Sequence, residues 1–391
     1  MPLKISQRAE QIVQSEIRAM FIECDKMGGI NLAQGVCDTE VPLPVKRAAQ
    51  KAIDSGINTY TRYDGLEILR NAIAKKLREY NGIVANAESE IIVSGGSTGA
   101  FYCACLALLN PGDEVILFEP YYGYHLNTIL AVDAIPAYVG LQPPDWTFQQ
   151  KDLEKAITPL TKGIVVNTPA NPSGKVFTRV ELQWIADVAC EHNLFVFTDE
   201  IYEYFLYDGR QHISPGSLPR MADRTITISG FSKTFSITGW RIGYSVSNAK
   251  WAQMIGYLND LVYVCAPAPL QMGAAHGILE LMPEYYNDLC ALYAKKRERI
   301  CCSLSEAGLK PRLPQGSYYV LADVSHLPGK TSKEKAMFIL KETGVAGVPD
   351  EAFFHEPGAS QFVRFCFAKE DKELDEACRR FGKLREYSPR R

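Results

Sequence analysis

Between about residues 91 and 246 the chain alternates short apolar runs with longer helical stretches, and this rhythm restricts the fold more than any other feature. Strands are expected at residues 90–94, 114–118, 164–167, 194–198, 225–229 and 242–246, with helices at 98–109 and 181–192. Strands buried on both faces and separated by helices build a mostly parallel sheet with right-handed crossovers. After about Leu270 the texture changes, and long helices at 284–306, 332–342 and 372–384 flank short strands near 317–321 and 362–367. The expected fold class is α/β: a large domain with a mostly parallel sheet flanked by helices, plus a smaller α+β domain. Residues 41–275 are assigned to the large domain and 276–391 to the small one, with 1–40 an N-terminal segment packed on the small domain. Within that segment residues 6–23 have helical spacing (Ile12, Val13, Ile17, Met20, Phe21), ended by Gly28-Gly29.

Composition excludes several classes. With 47% hydrophobic and 22% charged residues the chain of 391 is a globular one, not a disordered one. Lys+Arg 42 against Asp+Glu 45 leaves a net charge of -3, without the basic excess that nucleic-acid binding demands. The densest basic cluster, Lys295-Lys296-Arg297 with Arg299, reads as a solvated helix face. The 11 cysteines show no Cys-x-x-Cys pair, so neither a zinc site nor a disulfide framework is expected. Cys103, Cys105, Cys301 and Cys302 read as small apolar residues in helices, and a reducing, cytoplasmic setting fits. No signal-peptide core follows Met1, and the most apolar stretch, residues 99–109, is far short of the ~20 residues that cross a bilayer.

In a parallel α/β sheet, ligands sit beyond the carboxyl ends of the strands. Lys233 comes four residues after the strand that ends at Ser229; in a partly apolar pocket near other cations its amine becomes a nucleophile toward carbonyls. Asp199 directly follows a strand and can hold a proton on a heterocyclic nitrogen, while Tyr202 can donate to a nearby oxygen; a helix N-cap with a packed tyrosine is the structural alternative. Asn171, in Thr168-Pro-Ala-Asn171-Pro-Ser-Gly174, either presents an amide to a ligand or merely builds the turn. Ser94-Gly-Gly96-Ser97-Thr98-Gly99 links strand to helix with small residues and two hydroxyls, suited to a phosphate at the positive end of the helix dipole. Arg241 could clamp the same phosphate bidentately. Arg364, inside Phe362-Val-Arg364-Phe-Cys-Phe367, should be buried and so needs an anion, from a ligand or from a structural salt bridge. An aldehyde for Lys233, a protonated ring nitrogen for Asp199, a ring oxygen for Tyr202 and Asn171, and a phosphate together describe pyridoxal 5'-phosphate. Its substrates carry an α-carboxylate, which would account for Arg364.

Over about residues 31–384 the sequence resembles the class I/II aminotransferases of the fold-type I pyridoxal-phosphate superfamily. The resemblance is carried by Asn171-Pro-Ser-Gly174, Asp199-Glu-Ile-Tyr202, Ser232-Lys233, Gly239-Trp-Arg-Ile-Gly243 and the strand holding Arg364. It implies that Lys233 carries the cofactor as a Schiff base and later moves the proton, that Asp199 pairs with the pyridinium nitrogen, and that Tyr202 and Asn171 meet the 3'-oxygen. It also implies a phosphate site of Gly96, Ser97, Thr98, Arg241 and either Ser232 or Ser229. Tyr122 would cover the cofactor face and Gly35 would lie near the substrate carboxylate. Tyr60 would reach the phosphate of the neighbouring subunit, making a homodimer with shared active sites. The sequence departs from the family at Gly35-Val-Cys-Asp-Thr-Glu, where Gly-x-Pro-Asp-Phe is usual, and this bears on specificity.

The expected activity is transfer of the α-amino group of an L-amino acid to a 2-oxo acid by a ping-pong mechanism. Tyr63, Tyr121, Tyr122 and Tyr124 suggest an aromatic, methionine-like or otherwise large side chain. The sequence assigns no distal-carboxylate arginine on physical grounds; Arg62 and Arg18 are both open, so an aspartate or alanine preference stays an alternative. The rival activity is a carbon–sulfur β-lyase or amino-acid synthase, since the same residues serve any reaction that begins with Cα deprotonation. A ligand-sensing half of a transcription regulator is disfavoured, because about thirty residues before the resemblance are too few for a winged helix-turn-helix.

Overall fold

A computed structural model describes residues 3–12, 15–37, 39–356 and 361–387, so Val13 and Asp38 lie outside the described residues. The first strand, β1 (Ile30–Asn31), is short. The central sheet follows: β2 (Ile91–Gly95), β3 (Glu114–Glu119), β4 (Ile135–Gly140), β5 (Thr161–Asn167), β6 (Phe195–Asp199), β7 (Thr225–Gly230) and β8 (Ile242–Val246). Its seven strands lie in the order β2-β8-β7-β6-β5-β3-β4. All pairings from β7 across to β4 are parallel, whereas β8 runs antiparallel to both neighbours, β2 and β7. Two reversals restore direction, so β2 points the same way as β7. The carboxyl ends of β2, β3, β5, β6 and β7 therefore share one edge, and β8 starts at that edge.

Continuous apolar strands need cover on both faces. Along β5, Ile164 and Val166 enter one core with Leu182, Ile185 and Val188 of the helix Arg179–Glu191, while Val165 enters the opposite core with Phe197, Ile226 and Ile228. Thr178 and Glu181 form a capping box that starts that helix, a device worth about 0.5–2 kcal/mol. The helix Gly96–Leu108 carries no charged residue and packs Ala100, Cys103 and Ala104 against the second core. The edge strand β4 was not expected from the sequence. It holds Pro136 and is largely half-exposed, so it lacks the apolar run that marks the others.

The C-terminal sheet comprises β9 (Lys310–Arg312), β10 (Tyr319–Asp323), β12 (Val348–Pro349) and β13 (Phe362–Cys366), all antiparallel, in the order β12-β13-β10-β9. Before β12 comes β11 (Val345–Ala346), which pairs in parallel with β1 and draws residues 30–31 onto this region. Helices Pro283–Glu306, Ser332–Thr343 and Asp371–Phe381 cover the sheet. Met20 and Cys24 sink into the same core as Val320, Ile339 and Phe365.

Three expectations are corrected. The single helix over 6–23 is two, Gln7–Gln11 and Glu16–Lys26, because the Ser15 hydroxyl accepts the Ile17 N–H at 3.3 Å and restarts the helix. The basic run at 295–299 is not a solvated face: Lys296 and Arg297 are buried, Arg297 binds Asp208 through two 2.7 Å bonds, and Lys296 donates to the Lys369 carbonyl. Cys302 is exposed, unlike Cys103, Cys105 and Cys301.

Where β8 starts, Gly243 lies against the turn that follows β2. A Cβ on Gly243 would come within 2.4 Å of both the Gly96 carbonyl carbon and the Ser97 nitrogen. Because those atoms are backbone, Gly243→Ala should cost about 1–3 kcal/mol in urea denaturation. A change below about 0.5 kcal/mol would show that this contact does not hold the two strands in place.

Candidate active site

The edge where the strands end opens into one cavity of about 540 Å³. Of the residues singled out by sequence, Gly35, Ser97, Thr98, Tyr122, Asn171, Asp199, Tyr202, Ser232, Lys233, Arg241 and Arg364 wall it, as do Arg18 and Tyr124, whereas Gly96, Tyr60, Arg62, Tyr63, Tyr121 and Ser229 do not. Register explains the convergence. Asn167 pairs with Asp199 and Asp199 with Ile228, so the ends of β5, β6 and β7 stand side by side. Arg241 precedes a strand rather than following one, yet it reaches the same place because β8 is antiparallel. Its φ of 57° puts a non-glycine residue in the left-handed region, a conformation that persists only where the surroundings impose it.

Lys233 lies past the end of β7. Its Nζ donates to the Gly35 carbonyl at 2.9 Å and stands 5.7 Å from the Tyr318 ring centre. Burial, with help from the Arg241 charge, lowers its pKa below the usual lysine value, although Cys37 and Cys366 oppose that shift. Asp199 is buried at the end of β6; its Oδ2 lies 2.9 Å from His125 Nε2 and its Oδ1 accepts the Ile201 N–H at 3.3 Å. Burial raises the pKa of Tyr202 well above the usual range, so its phenol stays protonated at neutral pH, with its oxygen 3.1 Å from that of Tyr319.

Arg364 comes from β13 and is fully buried. It makes no ion pair among the described residues. Nη1 donates to Asn171 Oδ1 at 2.7 Å, Nη2 to the Ala33 carbonyl at 2.5 Å, and Nε has no partner. Its guanidinium carbon lies 4.2 Å from the Tyr319 ring centre. A buried cation satisfied only by neutral oxygens leaves room for an anion.

Ser97, Thr98, Ser232 and Arg241 gather at the start of the helix Gly96–Leu108. Gly96, at φ 80°, stands just behind this wall, where a Cβ would come within 2.3 Å of Arg241 Nη2. Among the described residues Arg241 itself donates only to carbonyls, Thr238 at 3.0 Å and Gly95 at 3.5 Å. Ser229 points elsewhere, with its hydroxyl 2.9 Å from Glu203 Oε1, so Ser232 is the serine of the cavity. Tyr60 lies outside the wall and is 82% exposed. Of the tyrosine group, Tyr122 and Tyr124 line the cavity, while Tyr63 packs on Tyr257 and Tyr121 on Tyr138.

Sequence reasoning missed His125, Asn167 and Tyr319. Asn167 ties the loop to the sheet, donating to the Asp199 carbonyl at 2.9 Å and accepting the Asn171 N–H at 2.8 Å. His125, near the start of the helix Gly123–Ala131, was findable as one of 6 histidines, placed soon after a strand end. Behind Asp199, the ligand atoms of Glu200, Glu203 and His212 lie within 4.8 Å of one another. Every oxygen of the two carboxylates already accepts a bond, from Thr198, Ser214, His212, Asn81, Ser229 or Lys76, which makes this a buried ion-pair network.

The desolvated amine gives a testable consequence. In protein freed of cofactor, acylation of Lys233 followed by mass spectrometry should show a pH midpoint below the ordinary lysine value of 10.5. A midpoint at that value would mean that the pocket does not activate the amine.

The family described as aminotransferase class I and II matches residues 28–381. The chain is 35% identical over 390 residues to kynurenine–oxoglutarate transaminase of Dictyostelium discoideum, covering 90% of each protein. Its structure is similar to that of N-succinyldiaminopimelate aminotransferase from Mycobacterium tuberculosis, with a TM-score of 0.94 and 32% identity over 97% of this chain and 100% of that one. It is also similar to an Escherichia coli protein with a methionine aminotransferase function, with a TM-score of 0.92 and 30% identity over 98% of this chain and 100% of that one. The lysine, aspartate and arginine that converge on one cavity thus belong to a member of the class I and II aminotransferases, pyridoxal 5'-phosphate enzymes that move an amino group from an amino acid to a 2-oxo acid.

Proposed function

We propose that this aminotransferase takes L-amino acids with a large apolar or aromatic side chain, and that Lys233, Asp199 and Arg364 divide the work. The observation that carries this reading is that these three, from separate loops and strands, wall one cavity. The donor set fits the cofactor: hydroxyls and a guanidinium for a phosphate, a carboxylate for a ring nitrogen, and a buried amine for an aldehyde. When bound, pyridoxal phosphate supplies the carbonyl that receives the amine and a protonated ring that acidifies the substrate Cα–H.

Asp199, its two oxygens held by His125 and the Ile201 N–H, supplies a fixed negative charge for the ring nitrogen. Tyr202 stays a donor at neutral pH. Asn171 spends its oxygen on Arg364 and keeps its amide hydrogens for an acceptor. Lys233 holds the cofactor; once released, its Nζ gives up its proton more readily than an ordinary lysine and so takes the one on substrate Cα. Arg364 binds the α-carboxylate and sets the direction of the Cα–H bond, a positioning role. Ser97, Thr98, Ser232 and Arg241, with Gly96, hold the phosphate. Ile17, Phe21, Tyr122, Tyr124 and Tyr319 supply an apolar and aromatic wall for the side chain, in keeping with relatives named for kynurenine and methionine.

We also infer a homodimer. Tyr60, Tyr257, Leu261, Val262 and Val264 form an exposed apolar group, and the Thr61 N–H donates to Cys265 Sγ at 3.5 Å, joining the two stretches. Val264, β-branched, sits at φ 62°, ψ -63°, a strain that points to a functional contact. A second copy covering this face supports the reading that Tyr60 serves the neighbour's phosphate. Residues 41–275 would then form the cofactor domain, with 276–391 and the segment 1–40 beside it. The absence of a disulfide among the cysteines of the described residues supports a reducing setting such as the cytoplasm.

Single-turnover spectra with a panel of amino donors test the substrate reading. Phenylalanine-like and methionine-like donors should exceed alanine and aspartate at least tenfold in kcat/KM. Alanine or aspartate as the best donor would refute it, and Lys233→Ala should abolish transfer with every donor. Tyr60→Phe should loosen cofactor retention several-fold in a dimeric enzyme; a fully active monomer in sedimentation experiments would end the shared-site reading.

A further inference from the structure

The Gly35 carbonyl is shared between two donors. It accepts Lys233 Nζ at 2.9 Å and the Tyr318 hydroxyl at 3.3 Å, one for each lone pair of the oxygen. Gly35 is also confined on its Cα side, where a Cβ would come within 1.8 Å of Tyr319 Oη. Two adjacent tyrosines at the start of β10 therefore grip one glycine of the N-terminal segment, and that glycine supplies the acceptor of the reactive amine.

The grip is rigid on the tyrosine side. Tyr318 is fully buried, with its ring near-perpendicular to Tyr202 at 5.1 Å and to Phe205 at 5.4 Å. Its carbonyl accepts the Phe367 N–H at 3.0 Å, and the preceding Ser317 donates its N–H to the Phe205 carbonyl at 2.9 Å. Burial raises the Tyr318 pKa well above the usual range, so its phenol remains a donor. Its ring centre lies 5.7 Å from Lys233 Nζ, within reach of a cation–π contact. Tyr318 stands behind the cavity wall rather than in it.

We propose that Tyr318 is a positioning residue for proton transfer: it holds the Gly35 carbonyl where the Lys233 amine, having taken the substrate Cα proton, is received as an ammonium, and its ring face borders that charge. This rests on the role of Lys233 given above. The carbonyl meets the ammonium as an acceptor and the ring meets it as an electron-rich face. Tyr318 keeps its own proton throughout. Cys37, Cys366, Arg241 and Asp199 also act on Lys233, and a substitution at 318 leaves all four in place.

Tyr318→Phe removes one oxygen and keeps the ring. With the fastest donor of the panel, in ordinary and Cα-deuterated form, single-turnover spectra of the holoenzyme should show the amine half-reaction slowed about three- to tenfold, as for one lost hydrogen bond. Half-saturation should stay within about twofold of wild type, and the primary isotope effect should be at least as large as wild type's. The proposal is overturned by an unchanged rate, by a slowed rate whose isotope effect shrinks, or by a variant that loses cofactor or weakens half-saturation as much as rate, the mark of a merely structural residue. In cofactor-free protein, Tyr318→Leu, which removes the ring as well, should lower the pH midpoint of Lys233 acylation by about 0.5 to 1. A midpoint that stays or rises also overturns the assignment. A wild type that transfers amine from no donor would sink the reading of the cavity, while the acylation midpoint still decides the role of Tyr318.

Discussion

The bond between Arg364 and Asn171 is the point on which the architecture turns. It joins a strand of the C-terminal sheet to the loop after β5, and both partners are buried. Desolvating a guanidinium without a counter-charge costs several kcal/mol, and here, among the described residues, the compensation comes from two neutral oxygens and the ring faces of Tyr319 and Phe353. Such a cation is tolerable where an incoming anion completes its surroundings. The bond also fixes the distance between the two sheets, because Asn171 is itself tied to Asn167 and through it to Asp199.

The central sheet was legible because its strands are apolar on both faces; the exception, β4, lies at the edge and carries a proline. Periodicity alone could not detect the break at Ser15, since Ile12, Ile17, Met20 and Phe21 continue the helical spacing across it. The charges at Lys296 and Arg297 misled for a related reason. Their partners, Lys369 and Asp208, are distant in sequence, and burial of a charge depends on partners that local composition does not reveal.

For the cavity, the residues that follow strand ends could be singled out because an α/β sheet offers one edge to ligands. Arg241 was visible through its glycine-rich surroundings, although the reason it reaches that edge, the reversed direction of β8, emerges only from the pairing. His125 and Tyr319 escaped notice. Tyr319 arrives from a different sheet and does not stand out among the chain's 20 tyrosines, whereas His125, one of 6 histidines, is marked only by its place soon after a strand end.

The chemistry and the selectivity of this cavity come from different neighbourhoods of the polypeptide. Lys233, Asp199 and Asn171 hang from the rigid central sheet, whereas Ile17, Arg18 and Phe21 belong to one short helix near the chain's beginning. That helix is anchored by Met20 and Cys24, with Ile17 packed against the same core, while Arg18 and Phe21 reach the cavity from its neighbouring flank. A redesign of acceptance could therefore be confined to a few adjacent codons without disturbing the bond-breaking apparatus.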